Sequence, residues 1–170
     1  MKKMKILIVD DKLENINAAK VAVAKIGLSN ATYASSAKEA MEMIVTTYEI
    51  NKAFFNLVIS DLEMEEKESG MRVMIKSSEY LALTFIVTER DGEGHGMNTR
   101  IEPIRGSIRG KKNNPTVWQE IFQIIEKACT EEPYKQILES LQGYQKFVTR
   151  PSSEIGKLVL TDYGGYFERY

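Results

Sequence analysis

Two short apolar runs in the first third of the chain each end at aspartate. Residues 5–9 are followed by Asp10 and Asp11, and residues 55–60 are followed by Asp61. Apolar runs of this length, rich in β-branched residues, are typical of strands buried on both faces of a parallel sheet. Because the carboxyl ends of parallel strands meet at one edge of a sheet, we expect the three carboxylates to converge there.

Helical periodicity separates these strands from their neighbours. Apolar residues recur at helical spacing in 15–26, where Gly27 marks the end, and in a segment that Ser36 is suited to cap. Residues 31–34 predict a second strand, and the run 83–88 predicts a fourth. Further helices are predicted after Gly70 and from Asn114 and Pro115. This alternation of strands and helices indicates a parallel α/β sheet.

Two later regions have less regular patterns. Residues 89–110 are rich in glycine, which disfavours a helix, and a short fifth strand is predicted at 104–109. Near the end of the chain, 157–170 contains two adjacent glycines between aromatic segments, which predicts a β-hairpin after one more helix. We therefore expect an α/β domain over 1–129 and, over 130–170, an extension that is not an independent domain.

Composition narrows the classes of protein to consider. The 170 residues suffice for one substantial core, and 23 basic against 24 acidic side chains give a net charge of -1, which does not favour nucleic acid or membranes. The single cysteine, Cys129, excludes an internal disulfide and is expected to be a buried apolar side chain. The amino-terminal apolar run is too short for a signal peptide, so a cytoplasmic location is expected.

Three carboxylates at one sheet edge repel one another. Two like charges about 4 Å apart are unfavourable by roughly 4 kcal/mol at an effective dielectric constant near 20. Such a cluster requires a cation or a proton, and a hard divalent metal ion, most simply Mg²⁺, is expected. A lone aspartate after a strand is usually a turn residue or a helix cap, so this prediction depends on the three acids together.

These positions, taken together, resemble the receiver domain of bacterial two-component response regulators. That family has an acid pair ending strand one, an aspartate ending strand three, Thr or Ser ending strand four and Lys after strand five. The corresponding residues of this chain are Asp10, Asp11, Asp61, Thr88 and Lys111. The resemblance covers about residues 4–129. It implies a flavodoxin-like fold, a five-stranded parallel sheet with helices on both faces.

The resemblance also implies a function for each position. Asp61 would accept a phosphoryl group from a histidine kinase or phosphotransfer protein. Asp10, Asp11 and Asp61, with the backbone carbonyl of Glu63, would hold Mg²⁺, while Thr88 and Lys111 would bind phosphoryl oxygens. The implied protein is a signalling phosphoacceptor rather than an enzyme, with at most self-catalysed phosphotransfer and autodephosphorylation. Its output would be contact with a downstream protein or with a second copy in a homodimer.

Two adjacent lysines compete for the cationic role. Lys111 is preferred over Lys112 because it precedes the predicted cap Asn114 by three residues, as in the family. Taken alone, either lysine is more often a solvated surface charge.

Some residues depart from the family pattern. Glu89 follows Thr88 where the family has a small residue, and a carboxylate there is expected to repel phosphate unless it turns outward or pairs with an arginine. Glu65 replaces a proline within an acidic loop, and Ile108 stands where an aromatic residue often reports the switch. Slow or weak phosphorylation is one expected consequence.

Two other functions remain open. One is a pseudo-receiver that acts by protein contact without phosphorylation. The other is a phosphohydrolase, disfavoured because that class places its two acids one residue apart, whereas Asp10 and Asp11 are adjacent. The basic segment 100–112 lacks the aromatic residues of single-strand binders, and a solvated face is favoured for it over an acidic partner. His95, between two glycines, is expected to be a loop residue rather than a metal ligand.

Overall fold

The computed structural model describes the chain apart from residues 2, 93–95, 103, 105 and 157–170. The predicted carboxy-terminal hairpin and His95 therefore lie outside the described residues. Among the described helices, none is both long enough and apolar enough to cross a bilayer.

The described residues form an α/β structure with six strands, five helices of at least 11 residues and a helical stretch at 153–156. The strands are β1 (Ile6–Val9), β2 (Ala31–Ala34), β3 (Leu57–Ser60), β4 (Leu83–Gly92), β5 (Gly96–Glu102) and β6 (Gly106–Arg109). The helices are α1 (Leu13–Ile26), α2 (Ala37–Asn51), α3 (Ser69–Glu79), α4 (Pro115–Ala128) and α5 (Tyr134–Gln145).

The sheet is mixed, with strand order β2-β1-β3-β4-β5-β6. Strands β1 to β4 pair in parallel, whereas β5 pairs antiparallel with both β4 and β6. The α/β class is confirmed, but the prediction of five strands that are all parallel is wrong. The reason is that β4 runs on to Gly92 and turns back directly, with Gly92 paired to Gly96, so no helical crossover separates β4 from β5.

Two layers of helices cover the sheet. Ile6, Ile8 and Ile59 belong to a core shared with α1 and α4, while Leu7 and Val58 belong to a core shared with α2 and α3. Residues next to each other along β1 therefore point to opposite faces and are buried on both, as the apolar run predicts. Because both strands are held by burial on their two faces, the aspartates that directly follow them have fixed positions at the carboxyl ends.

Local capping chemistry sets the helix ends. The Ser36 hydroxyl accepts a hydrogen bond from the Glu39 backbone N–H at 3.0 Å, and the Asn114 side chain accepts one from the Thr116 N–H at 2.9 Å. Gly27 ends α1 in the left-handed conformation, with φ of 70°. The helix boundaries predicted from these three residues are confirmed.

The carboxy-terminal extension packs at the edge of the sheet opposite the aspartates. The Gln145 side chain donates to the backbone carbonyls of Phe55 and Leu81, which precede β3 and β4. Beyond α5, the Thr149 carbonyl accepts a hydrogen bond from the Tyr48 hydroxyl at 2.7 Å. The described part of the extension therefore leaves the carboxyl ends of β1 and β3 uncovered.

Gly70 allows α3 to begin directly against the loop after β3. A Cβ atom at this position would overlap the Asp61 carbonyl oxygen and lie 2.8 Å from Leu62 Cα. We expect Gly70→Ala to lower the free energy of unfolding by roughly 1–3 kcal/mol, because the backbone next to Asp61 must move. Urea denaturation measures this. Gly143→Ala in α5 is the control, since a Cβ there meets no atom within 4 Å; similar losses in both variants would contradict the expectation.

Candidate functional site

The structure brings Asp10, Asp11 and Asp61 together at the carboxyl ends of β1 and β3. One carboxylate oxygen from each lies within 4.8 Å of the others. Asp10 and Asp61 are buried, with 1% and 6% exposure, whereas Asp11 is exposed. Two of the three charges are thus removed from water.

A buried lysine lies between the two buried acids. The Lys112 Nζ is 2.8 Å from Asp10 Oδ2 and 2.7 Å from Asp61 Oδ2, and it also donates to the Val87 carbonyl at 3.2 Å. These three bonds use all three donors of an ammonium group, and the side chain is only 1% exposed. Lys112 is therefore an internal counter-ion for the acidic cluster.

The preference for Lys111 over Lys112 is corrected by this geometry. Lys111 is exposed and forms no ion pair within the described part of the chain. Its backbone carbonyl instead accepts a hydrogen bond from the Asn114 N–H, in the turn that precedes α4. The lysine at the cluster thus precedes the cap by two residues, one fewer than the family spacing implies.

Further hydrogen bonds fix the two buried carboxylates. The buried Asn15 amide donates to both oxygens of Asp10 at 3.0 Å, and the Lys12 N–H donates to Asp10 Oδ1. The Leu62 N–H donates to Asp61 Oδ1 at 2.8 Å. Sequence reasoning missed Asn15, although its position in the first turn of α1, just after the acid pair, is a usable signal.

Local electrostatics leave the cluster in need of more positive charge. Burial raises the pKa of Asp61 above its ordinary value of 3.8, Lys112 lowers it, and the Asp10 charge raises it again, with a net upward direction. Burial, followed by the Asp10 charge, also raises the pKa of Asp11. Three carboxylates and one ammonium carry a formal charge of about −2, and an all-oxygen donor set of this charge fits a hard divalent cation such as Mg²⁺.

Thr88 and Glu63 have different positions relative to the cluster. Thr88 is 7% exposed and follows Val87, and its hydroxyl makes no hydrogen bond within the described residues. Ser60 pairs with Ile86, so Asp61 directly follows the end of β3, whereas Thr88 lies within β4, two residues beyond the last residue that pairs with β3. The Glu63 side chain is exposed in the loop after β3, and binding of a metal by its backbone carbonyl stays a prediction.

Glu89 and part of the acidic loop have local partners. A Glu89 carboxylate oxygen accepts a hydrogen bond from the backbone N–H of Lys112. Glu65 accepts from the Ala37 N–H at the start of α2, at 2.9 Å. Glu66 pairs with an arginine of α3 at 2.7 Å. The negative charges of these three side chains are thus partly compensated. Glu89 pairs with a backbone amide rather than with Arg109; the side chains of Arg90 and Arg105 are outside the described residues.

Two other sequence candidates lie in the core. Ile108 is 3% exposed and packs in the cluster beneath α1 and α4, so it is not a surface reporter. Cys129 is buried at the end of α4, and burial raises the pKa of its thiol to about 11. The interpretation of Cys129 as a buried apolar side chain is confirmed.

Comparison of the sequence with models of protein families and with curated proteins finds no match. The chemistry of the acidic cluster and its lysine is therefore what indicates a function.

Replacing Lys112 and Lys111 in turn distinguishes the contribution of the buried cation from that of its exposed neighbour. We expect Lys112→Met to lower the free energy of unfolding at pH 7 by roughly 3–5 kcal/mol, because two buried carboxylates lose their partner. Lys111→Met, an exposed change, is expected to stay within about 0.5 kcal/mol. Urea denaturation in the presence of a metal chelator measures both, and equal effects would refute the placement of Lys112.

The raised pKa of Asp11 predicts a pH-dependent effect. Above its folded-state pKa the charged side chain opposes folding, and below the ordinary value of 3.8 it is protonated in both states. We expect Asp11→Asn to raise the melting temperature of the metal-free protein at pH 7, with the gain disappearing as the pH falls below that value. Thermal unfolding across pH tests this against Glu139→Gln, an exposed change on α5. A loss of stability at pH 7, or a gain independent of pH, would contradict it.

Proposed function

We propose that this chain is a receiver-like phosphoacceptor, in which Asp61 takes a phosphoryl group from a phosphohistidine of a kinase or phosphotransfer protein. The observation that carries the proposal is the Lys112 ammonium, bonded to Asp61 and Asp10 where a third carboxylate also lies. A nucleophilic carboxylate, a cation and an unbonded hydroxyl donor are the side chains that such a transfer requires.

The sheet supports the same proposal. The order β2-β1-β3-β4 is that of a flavodoxin-like sheet. Because β5 is antiparallel to both neighbours, β6 runs in the direction of β4, and the strand before Lys112 thus has the direction of a fifth parallel strand. The added strand β5 displaces β6 by one position, yet Lys112 still reaches Asp61 at 2.7 Å.

Each residue of the site has a definite task in the transfer. An oxygen of Asp61 attacks phosphorus as the phosphorus–nitrogen bond of the donor breaks, and the bonding electrons return to the imidazole, which takes up a proton. Lys112, which exchanges its bond to the Asp61 oxygen for one to the incoming group, and Thr88 donate to the phosphoryl oxygens, where negative charge accumulates. When bound by Asp10, Asp11 and Asp61, Mg²⁺ supplies the charge that lets an anionic group approach three carboxylates.

Access and output follow from the position of the extension. Since α5 packs at the opposite edge of the sheet, the described part of the extension does not cover Asp61. A phosphohistidine can therefore approach from the carboxyl ends of β1 and β3. Output by protein contact in the cytoplasm, to a downstream protein or a second copy, completes the proposal.

One observation favours a second candidate function. Lys112 already pairs with both buried acids, so the fold does not require a metal ion to hold them together. A pseudo-receiver that acts by constitutive protein contact is consistent with such a self-contained cluster. Calorimetric titration with Mg²⁺ separates the two: binding in the millimolar range or tighter, lost in Asp11→Asn, supports the phosphoacceptor, and no binding supports the pseudo-receiver.

Phosphoryl acceptance is tested directly with a small donor. After incubation with acetyl phosphate and Mg²⁺ and an acid quench, intact-protein mass spectrometry should show a gain of one phosphoryl group. The gain should be lost with a metal chelator, in Asp61→Asn and in Lys112→Ala, and kept in Lys111→Ala. A mass gain that persists in Asp61→Asn, or no gain with small-molecule or phosphohistidine donors, would refute the proposal.

A further inference from the structure

The Lys112 backbone is hydrogen-bonded to a residue that the proposed transfer does not use. Glu89 lies on β4, directly after Thr88, and its carboxylate accepts a hydrogen bond from the Lys112 backbone N–H. We propose that Glu89 is a positioning residue, which holds the Lys112 backbone so that the ammonium lies between Asp10 and Asp61. The effect on phosphoryl transfer rests on the proposed function, whereas the effect on Lys112 itself does not.

The Lys112 peptide is held on both sides. Its N–H donates to Glu89, and its carbonyl accepts from the Trp118 indole N–H at 2.7 Å in a buried hydrogen bond. Lysine has a long side chain with several freely rotating bonds, so an ammonium group is placed accurately only when its backbone is fixed. The two bonds supply that fixation from β4 and from α4.

The same hairpin supports the loop at a second point. Glu89 and Thr99 are direct cross-strand partners on β4 and β5, so their side chains share one face of the sheet. The Thr99 hydroxyl donates to the Gly110 carbonyl at 2.9 Å, two residues before Lys112. The antiparallel β4–β5 hairpin, which a purely parallel sheet would lack, therefore makes two hydrogen bonds to the loop that contains Lys112.

A carboxylate suits this task better than a neutral side chain. Hydrogen bonds from a backbone N–H to an ionised acceptor are about twice as strong as those between neutral groups. The expected phosphate repulsion by Glu89 is accordingly reduced, because one of its oxygens is engaged by the loop. Glu89 contributes to the site through Lys112 rather than by contact with a phosphoryl group.

Trp118 provides a readout of this arrangement in the metal-free protein. It is the single tryptophan of the chain, and its indole N–H reports directly on the Lys112 carbonyl. We expect Glu89→Ala to shift the indole N–H resonance and to speed its exchange with water. Glu89→Gln keeps an acceptor oxygen and should retain most of the wild-type signal. Glu102→Ala, a change on the same hairpin with no hydrogen bond to the loop, should leave the signal unchanged.

Transfer to Asp61 gives the second readout. The initial rate with acetyl phosphate and Mg²⁺ should fall about tenfold in Glu89→Ala and recover to within a few fold in Glu89→Gln. If Glu89→Ala does not fold, Glu89→Asp replaces it, since the shorter side chain keeps the charge but loses the reach to the Lys112 N–H.

The outcomes separate this proposal from the proposed function. An unchanged Trp118 resonance in Glu89→Ala or Glu89→Asp, or a Gln variant as altered as Ala, overturns the positioning role. If wild-type protein accepts no phosphoryl group, the proposed function fails, and the Trp118 resonance of the metal-free protein still decides the role of Glu89.

Discussion

The ion pairs of Lys112 with Asp10 and Asp61 are the interaction on which the carboxyl edge of the sheet depends. Removing an ion from water costs several kcal/mol even after the protein relaxes, and this site buries three. The cost is offset only if the distances and hydrogen bonds are good, as the separations of 2.7 and 2.8 Å provide. Every element that bears one of these residues must therefore be held in place.

The fold meets this requirement by joining three separate segments. Strands β1 and β3 are buried on both faces, which fixes the two aspartates at adjacent strand ends. The loop before α4 brings the lysine, and its backbone is held by Glu89 and Trp118. The cluster still carries more negative than positive charge, and we propose that a divalent cation and then a phosphoryl group bind there, each compensating the charge of the other.

Much of this arrangement can be predicted from the sequence, because local patterns encode it. Two apolar runs locate the aspartates, and Ser36, Gly27 and Asn114 mark helix ends through short-range hydrogen bonds or backbone conformation. The β4–β5 hairpin could not be predicted in this way. Residues 89–110 are rich in glycine, and their apolar residues follow neither a helical nor a strand period.

Local sequence patterns also cannot predict which of the two adjacent lysines is buried at the cluster. Lys111 and Lys112 are chemically identical neighbours, and tertiary contacts, among them the hydrogen bonds of the Lys112 backbone with Glu89 and Trp118, distinguish the two. The role of Glu89 is equally hidden from local pattern. Its carboxylate accepts a hydrogen bond from a backbone N–H twenty-three positions away, and such a bond leaves no signal in the sequence, which by itself suggests only repulsion of phosphate.

A crystal structure of the protein with Mg²⁺ and beryllofluoride, a mimic of a phosphoryl group, would show whether Asp61 and Lys112 have the roles proposed for them. The expected result is beryllofluoride bonded to the Asp61 carboxylate, a metal ion at Asp10 and Asp11, and the Lys112 ammonium within hydrogen-bond distance of the mimic. Beryllofluoride absent from Asp61, or Lys112 in solvent with Lys111 at the acids, would contradict it.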